Sequence, residues 1–441
     1  MRVCVVGAGG REHALAEVLA RTAEVVCTPG NPGMAEVAEC VAGPPETVDA
    51  DLYVIGPETP LVDGLADRLR AAGRRVLGPG ADGARLEGSK AWMKQALVEA
   101  GVPTAAHATF GAGQLDAARR FLEGLPGPWV VKTDGLAAGK GVLVTEDRDE
   151  AVADVADKLA GRSFGPAGLT VVIEEGLVGP ELSVLALCDG QRAVALPAAQ
   201  DHKRVGDGDR GPNTGGMGAF SPVPEATDDV VAEVMARAVT PTLAWLRARG
   251  IDYRGILYAG VMLTPAGLRV LEYNVRFGDP ETQVVVTRID DDLAAWLAAA
   301  AAGELPGGRP GPSAGPRVSS DACVTVVLAA AGYPAAPRLG DPLDGLAAAG
   351  GRPGVRLHHA GTARDRDGRL VSAGGRVLAV TARAPGLAEA RERAYGALAC
   401  LELPGGHYRH DIARAAARAA VPDVLSPRPA GVTAPPPSRG V

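Results

Sequence analysis

The sequence has few lysines, no closely paired cysteines and no long apolar run, and each shortage excludes a class of protein. The six cysteines are scattered without a Cys-x-x-Cys pair, which argues against a disulfide framework or a zinc site and indicates a reducing, cytoplasmic location. The longest apolar run, 293–302, is too short to span a bilayer, and the N-terminus lacks a signal-peptide layout. A net charge of −7 gives no basic surface for nucleic acid. We therefore expect a cytoplasmic protein that binds neither nucleic acid nor membranes.

Lysine supplies only six of the 45 basic residues. Arginine therefore meets the general need for positive charge, and lysine is expected where a compact point charge is required. Four lysines lie in Gly-rich or polar loops or open a helix after Gly88-Ser89, and we predict that they are site residues: Lys90, Lys132, Lys140 and Lys203. The other two, Lys94 and Lys158, are predicted to lie on helix surfaces.

The stretch 271–281 has the clearest chemical pattern. Its odd-numbered residues from 271 to 277 are apolar and share one face of a predicted strand, whereas Glu272, Asn274 and Arg276 share the other. Glu and Asn offer hard oxygen ligands that suit Mg2+, and Arg binds phosphate as a fork. A polyphosphate that carries a magnesium ion would satisfy all three groups. The alternative is a solvated face with a loose Glu272–Arg276 ion pair.

Strands and helices alternate through the first hundred residues, including a helix predicted over 61–72, and this favours a three-layer α/β domain with a parallel sheet. A glycine turn at 7–10 separates the first strand from the first helix, a geometry that holds an anion. Glu12 stands where the dinucleotide-binding pattern needs glycine. Two interpretations of the glycine turn therefore remain: it binds a single phosphate with the help of Arg11, or it is a plain tight turn. A nicotinamide-dependent oxidoreductase is an alternative that Glu12 argues against.

Three further stretches are candidate ligand loops. The strand–loop–strand segment 129–142 is not a Walker loop, because its glycine spacing is one short and no helix follows. Its amides and lysines can still cover phosphates, the alternative being an ordinary hairpin. Segment 174–177 is a candidate adenine-binding hinge with Glu181 on the ribose, or a set of surface acids. The polar loop 200–219, rich in glycine and in both signs of charge, is a candidate substrate loop rather than a disordered one.

The chain is too long for a single core. We expect an N-terminal domain over 1–100, a second domain over 101–318, a small C-terminal α/β domain over 319–421 and a Pro-rich disordered tail over 422–441. No catalytic cluster stands out in the last domain. Its histidines at 358, 359, 407 and 410 lack nearby acids or cysteines, so a structural role is expected rather than metal binding.

Four blocks, at 9–14, 132–141, 200–218 and 274–282, occur in order and together closely resemble the phosphoribosylamine–glycine ligase (glycinamide ribonucleotide synthetase) family of the ATP-grasp superfamily. The resemblance implies a central ATP-grasp domain, Mg2+ or Mn2+, a monomer, and ATP, glycine and 5-phosphoribosylamine as substrates. ATP would phosphorylate the glycine carboxylate, and the amine of phosphoribosylamine would then attack to give glycinamide ribonucleotide. The alternative is another ATP-grasp carboxylate–amine ligase or a carboxylase, against which the loop 201–218 argues.

The resemblance also implies a role for individual residues. Glu272 and Asn274 match the metal ligands, while Arg276 and Lys140 match groups that act on the transferred phosphoryl. The residues that match ATP contacts are Lys90, Lys132, Gly139, Lys140, Gly141, Glu174, Glu175, Leu177 and Glu181. Those that match the regions around glycine and phosphoribosylamine are Gly9, Gly10, Arg11, Asp201, Lys203, Gly215, Gly216 and Asp279.

Overall fold

The computed structural model describes residues 1–136, 141–163, 169–306 and 315–419. Gly139 and Lys140 of the Gly-rich loop, and the expected tail over 422–441, lie outside the described residues. Within them the chain combines a parallel α/β part with antiparallel α+β parts, which confirms the predicted fold class. No helix in these ranges is both long and apolar enough to cross a membrane.

The N-terminal part is a parallel sheet of five strands in the order β3-β2-β1-β4-β5. The central strands are apolar on both faces because helices or other elements cover both sides. The carboxyl ends of these parallel strands share one edge, where ligands of such sheets bind. The strands and helices are β1 (Arg2–Gly7), α1 (Gly10–Leu19), β2 (Glu24–Pro29), β3 (Glu39–Cys40), β4 (Leu52–Ile55), α2 (Glu58–Val62), α3 (Leu65–Ala71), β5 (Val76–Leu77), α4 (Ala81–Gly88) and α5 (Lys90–Glu99).

The single helix predicted over 61–72 is wrong, because the structure has two short helices there. Gly64, between α2 and α3, has a φ of +76°, a conformation that glycine adopts at little cost. Helix α2 begins at Glu58, soon after β4, so Glu58 lies near the carboxyl edge of the sheet.

A four-stranded antiparallel sheet, here called the Gly-loop sheet, follows in the order β6-β9-β7-β8. Two helices cover one face with a small apolar core that includes Leu122, Val131, Val155 and Ile173. These two helices do not cover the other face of the sheet. The elements are β6 (His107–Gly111), α6 (Leu115–Gly124), β7 (Trp129–Thr133), β8 (Val142–Thr145), α7 (Arg148–Leu159) and β9 (Thr170–Glu175).

A second antiparallel sheet, here called the central sheet, has the order β11-β10-β16-β17. Its long hairpin turns at 264–267 and delivers β17 to the middle of the molecule. The elements are β10 (Glu181–Asp189), β11 (Ala193–Ala195), α8 (Asp228–Val234), a π-helical turn (Met235–Val239), α9 (Thr240–Ala248), β16 (Arg254–Thr264), β17 (Gly267–Asn274), α10 (Glu281–Thr287) and α11 (Leu293–Ala302).

The C-terminal sheet has the order β12-β15-β18-β22-β19. Strands from both ends of the polar loop 200–219 therefore share a sheet with strands of the last hundred residues. The elements are β12 (Gln200–Asp201), β13 (Arg204–Gly206), β14 (Arg210–Asn213), β15 (Gly218–Ser221), β18 (Ala322–Ala329), α12 (Leu346–Gly350), β19 (Val355–His359), β20 (Thr362–Arg364), β21 (Leu370–Ser372), β22 (Arg376–Ala384), α13 (Leu387–Leu398) and α14 (Arg414–Ala419).

Three buried histidines join α1 to β19. The ring of His13 lies 5.6 Å from that of His358 and 5.7 Å from that of His359, measured between centroids. Nδ1 of His13 accepts a hydrogen bond of 2.8 Å from the amide of His359, which requires a neutral acceptor nitrogen. Glu17, from α1, lies against His358. Burial and the neighbouring imidazoles lower the pKa of His13 to about 3, and burial lowers the pKa of His359 to about 4.

These lowered pKa values predict a loss of stability at acid pH. Between about pH 6.5 and pH 4 these histidines are protonated in the unfolded chain but not in the folded chain. The free energy of unfolding therefore falls by about 1.4 kcal/mol for each unit by which the pH is lowered, for each such histidine. His13→Gln keeps a side-chain acceptor but binds no proton, so its unfolding free energy should fall less steeply over this window. Urea unfolding at stepped pH measures the slope. The matched control is His410→Gln, at an exposed position, and equal slopes in all three proteins would contradict the assignment.

Candidate active site

A cavity of about 380 Å³ lies where the Gly-loop sheet, the central sheet and the C-terminal sheet meet the carboxyl edge of the N-terminal sheet. Its volume is in the range of small-molecule sites. Polar and charged side chains reach it from the N-terminal part, the central sheet and the C-terminal sheet, while the Gly-loop sheet contributes Leu136, Gly141 and Val142. Its polar lining comprises Arg11, Glu58, Glu87, Lys90, Asp201, Lys203, Thr214, Tyr258, Glu272, Asn274, Arg276, Asp279, Glu281 and Arg376.

Strand β17 brings the predicted metal ligands to this cavity. Tyr273, Val275 and Phe277 are buried, which confirms three of the four residues of the predicted apolar face, whereas Leu271 is only half-buried. Glu272 and Asn274 face the cavity. Burial opposes ionisation of Glu272, but Lys203, Lys132 and Lys90 outweigh it and hold the pKa of this carboxyl below its usual value. Two adjacent oxygen ligands in a positive surrounding fit a divalent cation that arrives with a polyphosphate, since Mg2+ takes one or two protein carboxyl groups plus phosphate and water oxygens.

Arg276 lies just beyond the end of β17 and is held by two carboxylates from the N-terminal part. Its Nη2 donates to Glu87 Oε1 at 2.7 Å, and its Nε lies 3.4 Å from Glu58 Oε2. These are its ion-pair partners among the described residues, rather than Glu272 as in the alternative reading of the strand. Burial disfavours its charge, yet Glu87 and Glu58 outweigh burial and keep its pKa above the usual value. Its buried Nε has no hydrogen-bond acceptor among the described residues, so a phosphate oxygen would satisfy it.

The lysines approach the cavity from α5 and β7. Lys90 lines it and donates to the carbonyl of Gly135 at 2.9 Å. Gly141 also lines it, while Lys132 lies behind with its Nζ 2.8 Å from Glu174 Oε1. The surface positions predicted for Lys94 and Lys158 are wrong, because both side chains are about 2% exposed or less. Each is buried against a carboxylate, Glu174 for Lys94 and Asp154 for Lys158.

The glycine turn after β1 is occupied by a side chain of the protein itself. The amide of Gly9 donates to Glu12 Oε2 at 2.6 Å, and Nε of Arg11 donates to the other oxygen. A Cβ on Gly56 would lie 2.0 Å from Glu12 Oε1, so the carboxylate fills the space above the turn. A pyrophosphate has no room there, which disfavours a nicotinamide cofactor. Neither Gly9 nor Gly10 is among the lining residues, whereas Arg11 is.

The substrate loop contributes Asp201, Lys203 and Gly215 to the cavity, while Gly216 packs against Pro280 behind it. Lys203 pairs with Glu181 and lies 3.9 Å from Glu272 Oε1. Burial raises the pKa of Asp201 well above its usual value, and Lys203 offsets this only in part.

Arg376 of β22 ties this loop to Asp279. It donates to the carbonyls of Gly215 and Asp279 at 2.6 and 2.7 Å, and to Asp279 Oδ2 at 2.8 Å. Burial opposes ionisation of Asp279, but Arg376 and Arg11 lower its pKa. The C-terminal part of the chain is therefore part of the site.

The hinge segment lies at the far end of the Gly-loop sheet. The amides of Glu175 and Gly176 already donate to the carbonyls of Ala106 and Pro128. Glu175 Oε1 accepts from the Ala106 amide at 2.9 Å. Leu177 is half-buried and follows the strand. None of these side chains is among the residues that line the cavity.

Among the lining residues that sequence reasoning missed are five polar or charged ones outside the predicted substrate loop: Glu58, Glu87, Tyr258, Glu281 and Arg376. Tyr258 donates to Glu281 Oε1 at 2.7 Å and lies 2.7 Å from Ser183 Oγ, which holds that carboxylate in place. Glu58 follows β4 in a Gly-Pro-Glu turn. This turn was a usable signal, since loops at that edge of the sheet bind ligands. Arg376 stands at the start of a strand and shows no local pattern.

A cavity between two antiparallel sheets, with a Gly-rich hairpin on one and the side chains of Glu272 and Asn274 on a strand of the other, is the arrangement of an ATP-dependent ligase of the ATP-grasp class. The chain matches three Phosphoribosylglycinamide synthetase profiles: the N domain over 1–87, the ATP-grasp (A) domain over 88–282 and the C domain over 323–415. The chain belongs to the phosphoribosylglycinamide synthetase family.

Comparison with individual proteins supports the same family assignment. The phosphoribosylamine–glycine ligase of Caulobacter vibrioides is 48% identical over 425 residues, which cover 93% of this chain and 97% of that protein. The crystal structure of the phosphoribosylamine–glycine ligase of Thermotoga maritima superposes with a TM-score of 0.81 at 34% identity, covering 93% of this chain and 100% of that one. The biotin carboxylase domain of the Hydrogenobacter thermophilus 2-oxoglutarate carboxylase, at 19% identity and a TM-score of 0.67 over 92% and 91% of the chains, shares the fold.

Proposed function

We propose that this protein joins glycine to 5-phosphoribosylamine at the expense of ATP, giving glycinamide ribonucleotide, ADP and phosphate. Family membership supports the reaction, and the observation that carries it in the structure is the meeting of Glu272, Asn274 and Arg276 with Lys90 in one cavity. A carboxylate is a poor electrophile, so ATP first phosphorylates glycine to glycyl phosphate. The amine of phosphoribosylamine then attacks the acyl carbon, and phosphate leaves.

The phosphoryl step depends on positioning and charge. Lys90 and Lys132 hold the phosphates of ATP together with the Gly-rich loop, of which Gly141 is a described part and Gly139 and Lys140 are not. Arg276, fixed by Glu87 and Glu58, presents its fork to the transferred phosphoryl. Glu272 and Asn274 hold the divalent metal, Mg2+ or Mn2+. When bound, that metal neutralises the negative charge of the ATP phosphates.

The substrate end of the cavity carries both signs of charge. Arg11 and Arg376 attract the phosphate and carboxylate groups of the two substrates. Asp201 and Asp279 face the same space and attract the glycine ammonium or the ribose hydroxyls. Glu174, Glu175, Leu177 and Glu181 remain the proposed contacts of adenine and ribose. The monomeric state and the cytoplasmic location stay predictions.

The direct test is an assay with ATP, Mg2+, glycine and freshly made phosphoribosylamine that follows ADP and the amide product. We expect equal amounts of ADP and amide, and no amide when glycine is left out. Bicarbonate in place of glycine tests the carboxylase alternative and should release no phosphate. Release of ADP that depends on bicarbonate, and not on glycine, would contradict the proposed reaction.

A further inference from the structure

Lys94 is buried, carries no proposed role in the reaction and is not among the residues that line the cavity. It lies one helical turn after Lys90 on α5, but its side chain points away from solvent and is 1% exposed. Its Nζ donates to Glu174 Oε2 at 2.9 Å and to Thr104 Oγ1 at 2.8 Å. A buried ammonium is costly unless it is paired, so these contacts account for its presence there.

The two partners of Lys94 each connect it to strand β17. Thr104 Oγ1 donates to the carbonyl of Val270 at 2.6 Å. On the other side, Glu174 Oε1 lies 2.8 Å from Lys132 Nζ, and Lys132 donates to the carbonyl of Leu271 at 3.3 Å. The two paths from Lys94 reach consecutive carbonyls, those of Val270 and Leu271, on the strand that carries the proposed metal ligands, so the contacts close into a ring. Lys94 lies at the middle of this ring.

The ring closes on a bulge in β17. Val270 pairs with Val261 and Glu272 pairs with Gly260, so Leu271 is an extra residue without a partner. A bulge redirects the side chains that follow it. Here it directs Glu272 into the cavity while Tyr273 enters the core. The carbonyl that Lys132 contacts is that of the bulged residue itself.

Charge gives Lys94 a second effect on ATP binding. Glu174 is shared by two ammonium groups, so the trio keeps a net positive charge and Lys132 is not neutralised by its partner. Without Lys94 the buried carboxylate would pair with Lys132 alone, and the pair would offer phosphate no net charge. Burial lowers the pKa of Lys94 to about 8, so Lys94 is still mainly protonated at pH 7.

We propose that Lys94 is a positioning residue for the nucleotide: through Glu174 it keeps a net positive charge around Lys132, towards the ATP phosphates, and through Glu174 and Thr104 it holds the β17 bulge that directs Glu272 into the cavity. This inference rests on the proposed function, since it takes Lys132 and Glu272 as nucleotide and metal contacts. Lys94 itself touches neither substrate nor metal.

The test measures nucleotide binding apart from turnover. Calorimetry with a non-hydrolysable ATP analogue and Mg2+ gives the dissociation constant of the whole chain and of Lys94→Met. We expect the dissociation constant and the KM for ATP to rise about ten- to a hundredfold, the range found when outer-shell partners of a ligand are removed. The KM for glycine should stay unchanged. If Lys94→Met does not fold, Thr104→Val serves as the test, because it leaves no unpaired charge. It should show a smaller rise in the dissociation constant and in the KM for ATP.

The matched control is Lys158→Met, since Lys158 is an equally buried lysine, in α7, that pairs with Asp154 and does not line the cavity. It should lower thermal stability without changing the dissociation constant. If Lys94 had a purely structural role, Lys94→Met and Thr104→Val would behave like this control, with lower thermal stability and an unchanged dissociation constant. That outcome would overturn the proposal. A wild-type protein that binds the analogue but makes no amide would instead count against the proposed reaction.

Discussion

Glu272→Gln should reduce metal-dependent turnover by at least about a hundredfold, because loss of outer-shell partners alone costs 10- to 100-fold and Glu272 is proposed as a ligand. Gln has the same shape, so the packing of β17 is kept. It removes the charge that faces Lys203 and, further away, Lys132 and Lys90. Titration of activity with Mg2+ at saturating glycine should show a large increase in the metal concentration needed for half-maximal rate.

The control for this variant is Glu99→Gln. Glu99 is also a glutamate with a cationic partner, Arg249, but is not among the residues that line the cavity. Its turnover and metal dependence should match the wild type. The melting temperature of Glu272→Gln should lie within a few degrees of wild type, since the side chain is partly exposed and no cavity is made. Wild-type activity of Glu272→Gln at limiting Mg2+ would remove Glu272 from the metal site.

Features that depend on neighbours in sequence could be predicted from the sequence. The alternation along 271–277 predicts apolar and polar side chains on opposite faces, and Tyr273, Val275 and Phe277 are buried as it predicts, although β17 itself ends at Asn274. The mismatch at Glu12 signalled that the first glycine turn does not hold a dinucleotide. The structure adds a cause that spacing cannot give, because the carboxylate itself occupies the turn.

Features that depend on distant partners could not be predicted. Lys94 was placed on a surface because buried lysine is rare, and its partner Glu174 is 80 residues away. Arg276 was assigned from its own strand, whereas Glu87, 189 residues earlier, holds it. The bulge at Leu271 leaves no trace in the pattern, since its stabilising contacts come from other sheets.

Two of these contacts have one thing in common: carboxylates hold the cations that are proposed to meet phosphate. Glu87 and Glu58 hold Arg276, and Glu174 holds Lys132. A cation that must meet a highly charged phosphate is best positioned before the phosphate arrives, because the cost of ordering it is then already met by the fold. The arrangement predicts that a change of geometry at constant charge will be harmful.

Arg276→Lys tests this last point, because it keeps the charge and removes the fork. A lysine ammonium cannot contact Glu87 and at the same time offer a donor at the position of Nε, which is buried beside Glu58 and has no hydrogen-bond acceptor among the described residues. We expect kcat to fall on the order of a hundred- to a thousandfold, the cost of removing one preorganised donor from a transition state. The KM for ATP should change little, since Lys90 and Lys132 hold the phosphates.

Arg288→Lys separates the loss of a fork at the reacting group from the loss of any buried arginine. Arg288 is buried, and its guanidinium donates to Asp321, Ser221 and Ser319, away from the cavity. This variant should lose stability and keep kcat, whereas Arg276→Lys should lose kcat with the smaller change in melting temperature. If both variants lost kcat in proportion to their stability, Arg276 would be a structural residue. A fall in kcat confined to Arg276→Lys would instead place its guanidinium at the transferred phosphoryl, where charge without the fork is insufficient.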